Sequence, residues 1–287
     1  MATPSTATSG PVPEAGYEQR ARYYEVEYRT TVDQAFLQSL VTDTTTSILE
    51  IPCGAGRNTD WLIAAGRETV CVDLEPAMVR RVRDRIAAAG ANALVTAVQA
   101  DLRELDLGRR FDLIIVPQEA FQLVESHQDA ERALRRLAHH LAPGGSLLLD
   151  LHSFGPDNAP GGQGTSALPD YFDPALPDGL PVTEWRRDIA PSGWLERSRV
   201  QHDEGTHMRI DYLYRRGEGD RVQEQWQSSI RLRRYRRPEV EAMADRADLY
   251  IDRTARDYTG APWTPGSARM ITLLRPASSA TDRREDS

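Results

Sequence analysis

The stretch Ile-Leu-Glu-Ile-Pro-Cys-Gly-Ala-Gly-Arg at residues 48–57 predicts a short apolar strand that runs into a Gly-x-Gly turn. Residues 58–66 continue as a helix that ends at Gly66. Gly54 and Gly56 permit positive φ and let a ligand lie against bare backbone, while the helix N-terminus offers free N–H groups. Turns of this kind also occur without a ligand. The unit therefore predicts the start of an α/β fold and one candidate binding site.

Strands and helices alternate from this unit to residue 153. The strands are short apolar runs rich in β-branched residues, and the helices end in Gly or Pro-Gly turns. Continuous apolar strands are typical of a parallel sheet that is buried on both faces. The pattern predicts a doubly wound α/β fold, with further strands at 69–74, 92–102, 111–117 and 146–153 and helices within 18–41 and at 75–90 and 125–145.

The pattern changes after residue 153. Residues 154–182 are rich in Pro, Gly and Asp, and a loop of this length is usually a lid or disordered. Alternating polar and apolar residues then predict an inserted antiparallel β meander, with strands at 194–202, 206–216 and 221–236, before a helix at 238–249 and a strand at 268–276. The expected parts are a disordered leader (1–16), a helical cap (17–46), a core (47–153), the loop with the meander (154–236), the completion of the core sheet (237–276) and a disordered tail (277–287).

Composition excludes several classes of protein. The 287 residues are 40% hydrophobic and 27% charged, and no apolar run approaches the roughly 20 residues of a membrane span. A net charge of −8 with dispersed arginines argues against a nucleic-acid partner. All 35 basic residues are arginine, which excludes a lysine Schiff base and a Walker A phosphate loop. Two cysteines, Cys53 and Cys71, suggest neither a disulfide framework nor a metal site, so we expect a cytoplasmic protein.

Two acidic residues narrow the identity of the ligand. Asp73 ends the second strand, where an acidic side chain meets ribose hydroxyls or caps the following helix. A dinucleotide-binding turn requires a third glycine at the position that Thr59 occupies, and it has no acidic residue before the turn. Glu50 stands there instead, and its carboxylate suits an ammonium group. The ligand is therefore expected to be a nucleoside joined to an amino acid.

An ordered series of motifs within residues 47–153 resembles the class I S-adenosylmethionine-dependent methyltransferases. The motifs are Glu50-x-x-x-Gly54-x-Gly56, Asp73, Ala100-Asp101-Leu102, Phe111-Asp112-Leu113-Ile114 and Leu141-Ala142-Pro143-Gly144-Gly145-Ser146-Leu147. The resemblance implies S-adenosyl-L-methionine as the cofactor. It also implies a Rossmann-like methyltransferase fold with a mostly parallel seven-stranded sheet. Pro52 departs from the family pattern, because it replaces the first glycine of the turn.

The resemblance also assigns cofactor contacts. They are Glu50, Gly54 and Gly56 for the methionine part, Asp73 for the ribose, Leu74, Asp101 and the Leu102 backbone for the adenine, Pro117 from the fourth strand and Tyr24 from the N-terminal helix. Tyr23-Tyr24 resembles a segment that many small-molecule members fold over the cofactor, although plain aromatic packing explains the pair equally well. The stretches 258–265 and 267–271 resemble the last turn and strand of the same branch.

The acceptor is less sharply indicated. The Asn/Asp-Pro-Pro-aromatic clamp for nucleobase or protein amides is absent after the fourth strand, which favours a small-molecule acceptor. The meander resembles the lid or dimer-forming sheet of amino-sugar N-methyltransferases and related natural-product enzymes, so a homodimer is possible. Candidate substrate contacts are Tyr23, Gln118, Phe121, Tyr212, Tyr214 and Trp226, with core packing as the alternative for the aromatic residues of the meander.

Two side chains near strand ends are candidates for a catalytic role. His152, at the end of the fifth strand, is a candidate general base or hydrogen-bond partner, with a structural role as the alternative. Glu119 is a candidate for holding a cationic amine, or else for capping a helix. The resemblance of the meander to amino-sugar N-methyltransferases favours N-methylation of a small amine in secondary metabolism. The alternatives are O-methylation, a non-methylating use of the same cofactor, and a catalytically silent cofactor-binding scaffold.

Overall fold

The computed structural model describes residues 12–14, 17–152 and 176–277. Its helices are α1 (Tyr17–Glu27), α2 (Gln34–Ser39), α3 (Thr59–Ala64), α4 (Pro76–Ala88), α5 (His127–His139) and α6 (Arg237–Asp245). Its strands are β1 (Ser47–Glu50), β2 (Glu68–Asp73), β3 (Val95–Gln99), β4 (Phe111–Val116), β5 (Leu141–His152), β6 (Val182–Asp188), β7 (Trp194–Asp203), β8 (His207–Glu218), β9 (Arg221–Arg233), β10 (Leu249–Ala255) and β11 (Arg269–Pro276). Most of the predicted leader, tail and Pro-rich loop lies outside the described residues.

Seven strands form the core sheet in the order β10-β11-β5-β4-β1-β2-β3. The five strands from β3 to β5 are parallel, and β11 runs antiparallel to both β5 and β10. Strand β1 lies in the middle of the five parallel strands, where Ile48 pairs with Thr69 of β2 and with Leu113 of β4. The predicted doubly wound, mostly parallel sheet is confirmed.

Both faces of the core sheet are buried, which explains why its strands are continuous apolar runs. Ile48 packs on one face with side chains of α3 and α4, including Leu62 and Val79. Leu49, one residue further, packs on the opposite face with Leu134 of α5. Because successive side chains of a strand point to opposite faces, such a strand needs apolar residues at every position.

The second sheet is an antiparallel meander in the order β6-β7-β8-β9. One face of it packs against α1, where the ring of Tyr23 stacks on Trp226 with centroids 5.4 Å apart. A buried polar network reinforces this contact, because Glu27 at the end of α1 accepts hydrogen bonds from Tyr214 at 2.8 Å and from Arg197. The meander and α1 are thus fastened to each other. The predicted inserted meander is confirmed.

Sequence reasoning missed two edge strands. Strand β6 has few buried side chains and carries Arg186 and Arg187, so it lacks the apolar alternation of its neighbours. Strand β10 follows α6 closely and has buried residues only at its two ends, Leu249 and Ala255. The predicted helix 125–145 was too long, since α5 ends at His139 and β5 begins at Leu141. Within the described part of the chain, no helix combines the length and hydrophobicity that crossing a bilayer requires.

Candidate active site at the carboxyl ends of the core strands

A cavity of about 470 Å³ lies beyond the carboxyl ends of β1, β2, β3 and β4. Each of these strands contributes a polar or turn-forming residue to the wall at its end, namely Glu50, Asp73, Asp101 and Pro117. Helix α1 covers the cavity from the other side with Tyr24. Open α/β sheets bind their ligands at this edge, so the cavity is the candidate cofactor and acceptor site.

The two glycines of the turn after β1 have different tasks. Gly54 lines the cavity with φ +54°, and a Cβ atom there would lie 2.5 Å from the hydroxyl oxygen of Tyr24. Gly56, with φ +92°, lies outside the cavity wall, and its Cβ would meet Thr59 Oγ1 at 2.7 Å and Val82 at 3.2 Å. The backbone of Gly54 therefore borders the ligand space, whereas Gly56 lets the turn pack closely against α3 and α4.

Glu50 is a buried carboxylate that has one oxygen without a partner. Its Oε1 accepts a hydrogen bond from Asn58 Nδ2 at 2.6 Å, while Oε2 is buried without a hydrogen-bond partner among the described residues. Burial raises the pKa of Glu50 to about 7, which the Asn58 hydrogen bond and the positive charge of Arg57 partly counteract. A ligand ammonium group would supply both the missing donor and the missing positive charge. The site therefore fits the amino-acid part of S-adenosylmethionine.

Asp73 connects the ends of β1 and β2. Its Oδ2 accepts a hydrogen bond from the backbone N–H of Gly54 at 2.8 Å, and its Oδ1 accepts one from Glu75 N at 2.9 Å. Burial raises the pKa of Asp73, and these backbone donors partly offset the effect. A carboxylate oxygen can accept more than one hydrogen bond, so Asp73 can also accept from a ligand in the cavity that it lines. Asp73 thus stabilises the glycine turn and fits a pair of ribose hydroxyls.

Asp101 occupies the corresponding position after β3. Its carboxylate accepts hydrogen bonds from the backbone N–H of Arg103 at 2.8 Å and from the Arg103 guanidinium. The side-chain hydrogen bond from Arg103 lowers the pKa of Asp101, so this acid is ionised at neutral pH. Leu74, which is half exposed, and Leu102 line the same part of the cavity. This arrangement combines an acceptor with flat apolar contacts, as an adenine ring requires.

A buried ion pair that the sequence motifs did not indicate lies directly after the glycine turn that follows β1. Arg57, directly after Gly56, donates to both oxygens of Asp33 at 2.6 and 2.5 Å, and both side chains are buried. Arg57 also lines the cavity. The position of Arg57 beside the turn is a signal that sequence reasoning could have used. Asp33 offers no such signal, because its contact becomes visible only in the folded chain.

The two candidate catalytic residues lie outside the cavity wall. His152 is buried, and its pKa is lowered to about 3 by burial and by the positive charges of Arg269 and Arg234, so its ring is neutral. Glu119 is also buried, and its carboxylate pairs with Arg269 at 2.7 Å. The structure thus gives both residues partners inside the protein and no direct access to the described cavity.

The aromatic candidates for acceptor binding are likewise placed in the interior. Phe121 is fully buried in the core, and Tyr23, Tyr212, Tyr214 and Trp226 belong to the apolar cluster between α1 and the meander. These positions correspond to the core-packing alternative. Of the substrate candidates, the cavity wall contains Gln118, and the cofactor candidates that it contains are Tyr24, Glu50, Gly54, Asp73, Leu74, Asp101, Leu102 and Pro117.

Comparison with known proteins agrees with this geometry. Residues 48–145 match the family described as a methyltransferase domain. A cypemycin N-terminal methyltransferase from Streptomyces sp is 31% identical over 104 residues, which are 36% of this chain and 41% of that protein. A dTDP-3-amino-3,4,6-trideoxy-alpha-D-glucopyranose N,N-dimethyltransferase from Streptomyces venezuelae is 22% identical over 207 residues, which are 72% of this chain and 70% of that protein.

The fold has matches among solved structures as well. An S-adenosylmethionine-dependent methyltransferase from Clostridium acetobutylicum ATCC 824 superposes with a TM-score of 0.70 at 16% identity, covering 91% of this chain and 98% of that one. Residues 48–145 thus match a methyltransferase domain, and the solved structure that shares the fold is an S-adenosylmethionine-dependent enzyme, in agreement with the expected cofactor class. The matched stretch spans 41% of the length of the cypemycin relative.

Proposed function

We propose that this protein is an S-adenosylmethionine-dependent methyltransferase that transfers a methyl group to the nitrogen of a small amine. The observation that carries the cofactor assignment is the buried Oε2 of Glu50, which has no partner in the part of the chain that the structure describes, in a cavity that Gly54 also lines. Asp73 and Asp101 extend this site along the ends of β2 and β3. The three carboxylates match the amino acid, ribose and adenine of one elongated ligand, in that order.

The cofactor supplies an electrophilic methyl group on a positively charged sulfur. The residues of this chain have to bind and align it and to exclude water, because in-line displacement depends mainly on alignment. Helix α1 contributes Tyr24 to the cavity wall, Tyr28 follows directly after the helix, and the meander contributes Ile230. Since α1 and the meander are packed on each other, together they form a cover over the reacting centre.

Nitrogen is favoured over oxygen by the wall next to the end of β4. The residues nearest the strand end carry apolar or amide side chains, and two carboxylates that suit a cationic amine follow further along the wall. They are Pro117, Gln118, Ala120, Leu123 and Val124, and then Glu125 and Asp129. A neutral amine presents its lone pair directly, whereas a hydroxyl acceptor has to lose a proton to a base during transfer. This wall therefore suits an amine. The relatives whose names state a methylated group are N-methyltransferases, which supports the same choice.

The proposal is tested by incubating the purified protein with S-adenosylmethionine and matched pairs of acceptors, such as an amino sugar and its hydroxyl analogue. Mass spectrometry then identifies the products. We expect N-methylated amine together with S-adenosylhomocysteine. O-methylated products alone would contradict the amine assignment. Methylthioadenosine would indicate a non-methylating reaction, and cofactor binding without any product from a broad acceptor panel would favour a silent scaffold.

A further inference from the structure

A left-handed turn presents the end of β4 to the cavity. Gln118 and Glu119 have φ values of +51° and +59°, and Ala120 N donates to Pro117 O at 3.2 Å to close the turn. Two consecutive left-handed residues are a conformation that favours Gly, Asn or Asp, and it strains residues with longer side chains. Strain of this kind persists only where the surrounding structure enforces it, and it is concentrated at functional sites.

A buried cluster enforces this turn from the direction of β5. Asp150 accepts hydrogen bonds from the backbone N–H groups of both turn residues. The N–H of Gln118 donates to Asp150 Oδ2 at 3.0 Å, and the N–H of Glu119 donates to the backbone carbonyl of Asp150 at 2.9 Å. Arg269 of β11 pairs with Glu119 at 2.7 Å and with Asp150 at 3.0 Å. The Tyr258 hydroxyl donates to Asp150 Oδ2 at 2.7 Å. Asp150, Arg269 and Tyr258 hold the turn, and neither they nor Glu119 line the cavity.

The turn determines where the Gln118 amide lies. In the order of the sheet, β4 is next to β1 and on the side opposite β2 and β3. The ends of β1, β2 and β3 carry Glu50, Asp73 and Asp101, which fit the cofactor from its amino acid to its adenine. The end of β4 therefore borders the amino-acid and sulfur portion of the cofactor on the side away from β2 and β3. This side is left for the acceptor. Gln118 is the first polar side chain of the cavity wall after β4, and Glu125, Ser126 and Asp129 follow further along the chain.

We propose that Gln118 orients the acceptor beside the sulfonium group of the cofactor, and that Asp150, Glu119 and Arg269 are positioning residues that hold it there. This inference rests on the proposed methyl transfer and adds the residue that selects and orients the acceptor. An amide is suited to this task, because its oxygen accepts a hydrogen bond from an amine N–H without titrating.

The location of Gln118 can be tested with the cofactor alone. S-Adenosylmethionine carries a positive sulfur, and S-adenosylhomocysteine is neutral there, so a new carboxylate nearby discriminates between them. We expect Gln118→Glu to raise the ratio of the S-adenosylmethionine affinity to the S-adenosylhomocysteine affinity, both measured by calorimetry, by about fivefold or more. The matched control is Gln99→Glu at the end of β3, near the adenine, where both ligands are identical. An unchanged ratio in Gln118→Glu, or an equal rise in the control, would overturn the placement of Gln118.

The positioning role is tested by adding Arg269→Met to Gln118→Glu. We expect the affinity ratio to return to the wild-type value, because the turn loses its support, and a retained ratio would refute this role. If the double variant does not melt cooperatively, Tyr258→Phe replaces Arg269→Met and should reduce the ratio in part. Thermal melting supplies an independent measurement, since Gln118→Gly should melt higher than Gln118→Ala because glycine adopts a positive φ without strain. An equal or lower melting temperature would contradict it.

These measurements do not depend on the acceptor. O-methylated products in the acceptor screen would reject the amine proposal and leave the affinity ratio of Gln118→Glu unaffected. Conversely, N-methylated products with an unchanged ratio would reject the role of Gln118 alone.

Discussion

A buried glutamate lies beyond the carboxyl end of β1 and another beyond that of β4, and the two have opposite roles. At the end of β1, Glu50 is buried, one of its oxygens has no hydrogen-bond partner within the described ranges, and burial raises its pKa to about 7. At the end of β4, Glu119 is equally buried but is paired with Arg269. A buried carboxylate without a protein cation is costly until a ligand brings one, whereas a paired carboxylate is a structural element. The comparison therefore separates binding acids from supporting acids.

The largest expected effect lies on the supporting side. Arg269→Met leaves Glu119 and Asp150 buried without their cation, and we expect the free energy of unfolding to fall by about 3–5 kcal/mol. Chemical denaturation measures this loss. The control is Arg103→Met, which removes the more exposed partner of Asp101 and should cost less than about 1 kcal/mol. Equal losses in both variants would remove the distinction between the two halves of the edge.

On the binding side, the ligand-free protein should gain stability when Glu50 becomes neutral. The folded pKa of about 7 lies above the unfolded value of 4.5, so the ionised form destabilises the protein fully above pH 7, and this cost disappears as the pH falls below 4.5. Glu50→Gln should therefore raise the free energy of unfolding by about 3 kcal/mol at pH 8. Denaturation at pH 8 and pH 4.5 measures the difference, and a loss of stability at both values would contradict it.

Cofactor affinity should fall where stability rises, because the acids at the ends of β1 and β2 are expected to bind the ligand. Glu50→Gln removes the counter-charge for the ammonium group, and Asp73→Ala removes the acceptor that fits the ribose and supports Gly54. We expect each variant to weaken S-adenosylmethionine binding by tenfold or more, which is about 1.4 kcal/mol. Calorimetric titration measures the affinity. Arg109→Met, which breaks an exposed ion pair with Glu68 away from the cavity, is the control that should bind normally.

The smallest effect is expected at His152. Its neutral ring is buried outside the cavity wall, so His152→Gln should change cofactor affinity by less than about twofold. The same titration measures this change. A weakening of tenfold or more would return His152 to the functional site and reduce the contrast between the two halves of the edge.

Much of the fold follows from local sequence patterns. The continuous apolar strands between Ile48 and His152 predicted the parallel core, because burial on both faces leaves no room for polar alternation. The alternating stretches after residue 194 predicted the meander. The edge strands β6 and β10 escaped prediction because they carry few buried side chains. Their pairing depends on neighbours that are distant in the sequence.

By itself the sequence determined the candidate residues at the ends of β1, β2 and β3, because strand and turn signals indicate Glu50, Gly54 and Asp73 and the resemblance to class I methyltransferases adds Asp101. The rest of the site was decided by tertiary structure. His152 and Glu119 also stand at strand ends, yet folding buries both, and it joins Asp150 to Arg269 across 119 positions. Local signals show where a side chain leaves a strand. Whether its charge is neutralised within the protein or remains available to a ligand depends on which distant residues pack against it.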